Sequence, residues 1–527
     1  MKTKQESIGR RATRTFFASV VGKLIALVIT TITFIAIARL LGPSGYGIYT
    51  VAIGYAALIG AVSIFGIAAY FDRNIASLSY KKDGKGIGKV IANGYAIIIP
   101  ASIVLAVIGI GLSGYISGSI LQNSGIAAFT LILVSIDLMF STIWGASFSA
   151  LIGFGRGKLA SIALVAIGIV QLGLGVALIY AGYGVNGAVA GLLAGDFVGF
   201  ALTSYYVYSA VKEYGKIQIA LPKWKDVKET LIFALPVLSN NILVTGVVGF
   251  GTLFLSVYAP NYILGNYGTA LKGLGMMNVI YGTLAIVLIQ AFSTVIAVTK
   301  KPKEISDAYN KTISYSLLLN LPVVVFVGVF SKPLVNLFLG ASYSLAPTYL
   351  FIIAVGTSMA IINSFTASFF IAAGKVKDLM WISLIAVVIQ VISLILLVPA
   401  FTAIGAIVAL YIIGSVSTLL LFIRGLRAKF GIRMNYKEML SLFVANLVMG
   451  MLVSGILGVA GNALEILAGM IAIVAIYPPL LVLFGGVDKK RLDELVHLVH
   501  NMPIMKEAIA YFGAYAGFFI RLLDAKS

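Results

Sequence analysis

Long apolar runs alternate with short polar breaks along the whole chain. About fourteen runs can be read, at residues 15–40, 48–71, 88–112, 126–151, 159–181, 184–211, 230–257, 268–297, 312–338, 346–373, 379–400, 403–424, 438–460 and 463–485. Each is close to the ~20 apolar residues that a helix needs to span hydrocarbon. Only helices satisfy their own backbone in that medium over a single run, so the pattern predicts an all-α, polytopic membrane protein. The breaks are of two kinds. Every second one carries lysine and arginine, whereas those at 41–47, 113–125, 181–183 and 259–265 are nearly uncharged and rich in Gly. All but four of the 38 basic residues lie at the termini or in the alternate breaks. The positive-inside rule then predicts a cell-membrane protein with both termini cytoplasmic. The first run, from about Phe16 to Leu40, is longer than a cleaved signal core and reads as a retained helix.

Two phrases repeat at one offset. Gly47-Ile48-Tyr49-Thr50-Val51-Ala52 recurs as Gly265-Asn266-Tyr267-Gly268-Thr269-Ala270, and Tyr183-Gly184-Val185-Asn186-Gly187-Ala188 lines up with Phe401-Thr402-Ala403-Ile404-Gly405-Ala406, both 218 residues apart. Six runs separate the copies, an even number, so the halves share one orientation in the membrane. The expected organisation is an N-lobe of six helices (1–220), a C-lobe of six (221–430), an extra helix pair (431–486) and a cytoplasmic amphipathic tail (487–527), a parallel duplication of the kind found in transporters. In the tail, apolar residues alternate with charges at helical spacing around Arg491–His500, as in a helix lying on a membrane surface.

Composition narrows the function. A chain 60% hydrophobic and 11% charged is no soluble protein, and its net charge of +20 sits beside membrane spans, where topology and anionic lipid headgroups account for it without nucleic acid. There is no cysteine, which removes disulfides and thiolate chemistry. The two histidines, His497 and His500, both fall in the tail, and the metalloprotease, nucleophile-elbow, P-loop and sugar-nucleotide motifs are absent. The expectation is a transporter rather than an enzyme, without cofactor or metal, working as a monomer among membrane lipids.

Three stretches carry a family resemblance. Ala38-Arg39-Leu40-Leu41-Gly42-Pro43-Ser44-Gly45-Tyr46-Gly47 after the first run, Phe233-Ala234-Leu235-Pro236 opening the second half, and Lys332-Pro333-Leu334-Val335-Asn336-Leu337-Phe338-Leu339-Gly340 followed by Ala346-Pro347 resemble the polysaccharide-biosynthesis (Wzx-type) flippases. These belong to the multidrug/oligosaccharidyl-lipid/polysaccharide (MOP) exporter superfamily. The resemblance covers nearly the whole chain. It implies two six-helix lobes around a cavity that opens alternately to each side and moves a polyprenyl-phosphate- or pyrophosphate-linked glycan. The alternatives are a cation-coupled multidrug exporter of the same superfamily and a membrane enzyme that transfers glycans.

A flippase must carry a phosphate and its sugars through a layer that excludes charge, and basic residues facing a wet cavity solve that problem. The four basic residues outside the topology pattern are Lys23, Arg39, Lys272 and Lys332. Lys23 lies deep in the first run on a stripe with Ser19, Thr30 and Thr33, and Lys272 shares a stripe with Thr283 and Gln290. In peptidoglycan-precursor flippases, basic residues of the first and eighth helices line the cavity, so the resemblance favours this pair as phosphate ligands. Arg39 and Lys332 sit at helix ends, where anchoring at the interface competes with a cavity role. Asp137 and Asp196, with Gln171 in the run between them, are candidates to bind a coupling proton or Na+, unless a carboxylate neutralises Lys23 or bonds a neighbouring helix. Asn320, Asn363 and Gln390 read as interhelical glue, and Glu465 as a solvated residue near a helix end.

Overall fold

The structure, a computed structural model, describes residues 2–63, 66–121, 126–213, 223–273, 275, 301–458 and 461–486, with Tyr515 and Gly517. Among these the regular structure is helical throughout, without a strand, and nine helical segments are long and apolar enough to cross a membrane. The chain is a multi-pass, all-α membrane protein.

Three of those segments, Gly22–Gly60, Gly157–Lys212 and Val376–Phe430, each contain two of the runs read from the sequence. The expected loops between them contract to a few residues. In α1 (Lys2–Gly60) the helical path breaks at Gly42, with φ +64° and ψ 176°, and helix resumes at once with Pro43. Proline suits that position because its fixed φ is helical and its missing N–H would be unpaired there anyway. Between α5 (Gly157–Leu178) and α6 (Gly184–Lys212) a widened turn, Ile179–Tyr183, leads to Gly184 with φ +49° and ψ −126°. Within α13 (Val376–Ile407) Thr402 adopts φ +48° and ψ −124°.

Thr402 and Gly184 are the residues aligned by the 218-residue offset, so the two copies share a backbone conformation even where one has lost its glycine. A β-branched residue is strained there. We expect Thr402→Gly to raise stability by about 1 kcal/mol, seen as a higher thermal midpoint of the purified protein; a lower midpoint would show that the threonine side chain outweighs the strain.

The second run departs from expectation in another way. Helix stops at Gly60, and α2 (Ile67–Lys81) begins after Gly66 and continues ten residues past the expected end. It does so because it is amphipathic: Ile67, Phe71 and Ile75 are buried at i, i+4 and i+8, leaving the basic residues on the open side. Asp83 then caps α3 (Gly84–Tyr115), accepting from Gly86 N at 2.9 Å.

The described helices group into two compact units. The first comprises α1 to α3, α4 (Ala128–Gly153), α5, α6, α7 (Trp224–Asn241), α8 (Val247–Tyr258), α9 (residues 261–273) and residues 379–410, which are most of α13 and the three residues after it. Its densest apolar cluster joins Ile67, Phe71 and Ile75 to Ile87 and Ile91 of α3 and Ala146 and Leu151 of α4, with Val227 and Leu231 of α7 packed against it.

Residues 43–60 cross α8 and α9 through glycines. A Cβ on Gly47 would fall on the carbonyl of Asn261, and one on Gly265 would fall on the carbonyl of Pro43. Both pairs obey the same offset, so the crossing is reciprocal.

The second unit contains α10 (Pro302–Val329), α11 (Ser331–Phe338), α12 (Ala346–Ala372), α14 (Gly414–Phe430), α15 (Tyr436–Ser454) and α16 (Asn462–Leu483). Its core is aromatic, with Phe370 and Phe422 rings 5.5 Å apart and the Tyr309 and Thr366 hydroxyls 2.7 Å apart. Polar bonds tie the later helices in: Asn363 donates to Ser415 O at 2.8 Å, and Tyr477 to Leu318 O at 2.7 Å. Asn320 instead bonds within its own helix, to Ser316 O. Glu465 is not solvated as expected: it is buried, and its carboxylate accepts the Gly458 N–H at 2.9 Å. The loop before α16 turns back on the helix and needs an acceptor for that amide. Residues 487–514 of the tail lie outside the described residues, and Tyr515 donates to Ala475 O of α16 at 3.3 Å.

Candidate functional site

The first unit gathers polar groups where the sequence alone gives only isolated candidates. Asp137 on α4 and Asp196 on α6 are each only 6% exposed, and their carboxyls lie against one another. Gln171 on α5 donates from Nε2 to Asp196 Oδ1 at 3.2 Å. Tyr49 of α1, also buried, lies within the field of both carboxyls. Trp144 turns its indole N–H toward Asp196 without completing a hydrogen bond, and Asp137 Oδ1 likewise lacks a partner. Buried polar atoms are normally paired. One carboxylate oxygen and one indole N–H are therefore left without a partner at this point.

Glycine spacing on α6 builds this arrangement. Gly187, Gly191, Gly195 and Gly199 recur every four residues and form one bare face. On that face a Cβ at Gly191 would strike the Gly175 backbone, and one at Gly195 would strike the Gln171 side chain. Small residues let helix backbones approach closely in membranes. Here the approach carries Gln171 onto Asp196. The aromatic rings of Phe140 and Phe197, 5.2 Å apart edge to face, close the neighbouring α4–α6 seam. The four-residue glycine ladder was the sequence signal for this contact, and Tyr49 and Trp144 are the members that sequence reasoning missed.

The basic candidates are dispersed. Lys23 is half-buried in α1, and its opposite charge is Asp72 of α2 rather than Asp137 or Asp196. Arg39 is exposed in the last turn before the Gly42 break. Lys272 is exposed on α9, and none of the acids among the described residues forms an ion pair with it; its stripe partners Thr283 and Gln290 lie outside the described residues. Lys332 is exposed at the start of α11, in the second unit.

Comparison with known proteins adds the family. A profile of the "polysaccharide biosynthesis protein" family matches residues 36–347, more than half of the chain. A "putative O-antigen transporter" of Shigella flexneri is 24% identical over 318 residues, covering 59% of this chain and 72% of that one. Among solved structures, the lipid II flippase MurJ in an inward closed conformation superposes with a TM-score of 0.68 at 16% identity, over 87% of this chain and 97% of that one. An inward-facing multidrug resistance MATE family transporter of the MOP superfamily gives 0.61 at 18% identity, over 78% and 98%. With the fold of these transporters and a family match through the first repeat and into the second, the chain belongs to the polysaccharide biosynthesis protein family.

Proposed function

We propose that the protein is a flippase that moves a lipid-linked oligosaccharide or polysaccharide repeat unit across the cytoplasmic membrane, its termini in the cytoplasm, by alternating access driven by a proton, Na+ or the membrane potential. The observation that carries this reading is the buried Asp137–Asp196 pair inside a polysaccharide-biosynthesis fold. Two carboxyls in contact do not both remain charged without a cation between them. A proton or Na+ taken up there changes the charge of the α4–α5–α6 face, which gives a gradient a handle on the conformation. Lys23 and Lys272, with Arg39 and Lys332 in support, hold the phosphate, and the polyprenyl tail stays in lipid, aided by the helices after Tyr436. Residues 15–211 rock against 230–424 in the cycle.

Asp196→Asn keeps the Gln171 contact but removes one ionisable group. We expect this variant, reconstituted in vesicles, to bind lipid-linked glycan normally and to lose the dependence of flipping on a proton or Na+ gradient. Unchanged gradient dependence rejects the coupling site. Loss of surface glycan on gene deletion tests the cargo; a normal glycan together with new sensitivity to cationic dyes moves the assignment to a multidrug exporter.

A further inference from the structure

A second polar site lies away from the carboxyl pair, where α2, α3 and α7 meet at a cavity of about 380 Å³. That size is within the ~300–1,000 Å³ range of small-ligand pockets. Each helix contributes one face: Tyr70 and Arg73 from α2, Lys89 and Asn93 from α3, Asp226 and Glu229 from α7, all at three- or four-residue spacing. The walls are fixed from behind, because Val227 and Leu231 of α7 pack on the apolar cluster that includes Phe71 and Val90. An ion pair, Lys89 Nζ to Asp226 Oδ1 at 2.9 Å, bridges α3 and α7 at its rim. Asn93 is 2% exposed, and its Oδ1 has no hydrogen-bond partner.

The charges of the lining balance, two basic against two acidic. A net-zero wall gives no advantage to a phosphate or a metal ion, each of which needs an excess of the opposite charge. It offers instead planar amide, carboxylate and guanidinium groups and a phenol, which meet a neutral ligand rich in hydroxyls, since every hydroxyl both donates and accepts. The buried Asn93 oxygen, which has no hydrogen-bond partner, supplies an acceptor for one such donor. From this geometry we propose that the α2–α3–α7 cavity binds a neutral pyranose of the glycan cargo on the cytoplasmic side. The proposal rests on the flippase reading, which supplies the sugar, and on the basic breaks flanking these helices, which supply the side. It divides the labour: lysines in the spans grip the phosphate, and this pocket reads the sugar.

The test is saturation-transfer NMR on the full-length protein in nanodiscs with glucose, galactose, mannose, rhamnose, N-acetylglucosamine and N-acetylgalactosamine as probes, which detects the millimolar binding expected of a single bare sugar. At least one probe receives saturation from the unaltered protein. The signal disappears in Asn93→Leu and falls at least threefold in Glu229→Gln, and it persists in Lys23→Ala. Glu229 is exposed, so its variant carries the test if Asn93→Leu fails to fold. Silence from all six probes, or equal signal in a folded Asn93→Leu or in Glu229→Gln, overturns the sugar site. Silence accompanied by loss of glycan export in the lysine variants removes this pocket alone and leaves the flippase reading standing; sugar binding with a normal surface glycan on gene deletion removes the flippase reading instead.

Discussion

We expect Lys23→Ala and Lys272→Ala each to abolish glycan export while the protein still reaches the membrane in normal amount. The physical demand is severe: a phosphate crossing hydrocarbon keeps its charge only if cations travel beside its path, and removing one partner of a desolvated charge pair typically costs ~2–5 kcal/mol. On a transport rate that is a reduction of roughly 30-fold to several thousand-fold. The two lysines are not equivalent. Asp72 lies within the field of Lys23, so part of that field is spent on the carboxylate, whereas Lys272 forms no ion pair with an acid among the described residues. The larger loss therefore belongs to Lys272→Ala. Asp72→Asn, by releasing Lys23, should tighten binding of the anionic lipid. Lys272→Arg preserves the charge and should recover much of the export, since arginine also binds phosphate, though with a different shape. Export is measured as surface glycan per membrane-resident transporter. A double alanine variant that exports normally ends the case for these lysines as phosphate ligands.

We expect Gly47→Val and Gly265→Val each to lower the stability of the first unit by ~1–3 kcal/mol or more. Both positions press against a carbonyl of the opposing segment, with no flexible side chain between that could swing away. The added atoms can be housed only by parting the helices, which forfeits Cα–H···O contacts and close packing along the crossing. Because the contacts are reciprocal, either substitution moves the same seam, and the double variant costs less than the sum of the two singles. Thermal midpoints of the purified variants decide the matter. An unchanged midpoint in both single variants means that the helices do not pack as closely as described.

Much of the fold was legible because apolar length and basic spacing act on every span alike. The bilayer enforces both, so the runs and the 218-residue repeat could be read without contacts. The breaks were less legible: Leu41-Gly42-Pro43-Ser44-Gly45 looks like a loop, yet one glycine takes the whole change of direction and Pro43 starts the next helix. Composition reports the turn but not its length. At the site, Asp137, Gln171 and Asp196 stood out as polar residues in apolar runs, and the structure brings them together. Tyr49 and Trp144 did not stand out, because aromatic residues are common in such helices and only proximity sets these two apart. Asp72 was overlooked since it adjoins Arg73 in a break already explained by topology. Glu465 reads as solvated in the sequence because burial of a helix-end acid depends on where the preceding loop puts its amides.

The breaks at Gly42, Gly184 and Thr402 also limit how the molecule can bend. A long loop is a loose tether, and two helices joined by one swing independently. A junction with one or two non-helical residues leaves only a few soft torsions, so the helices on either side pivot about a near-fixed point, and motion at one end of a hairpin is delivered to the other. Inserting a few glycines at Gly42 or Thr402 would lengthen the junction and uncouple the levers.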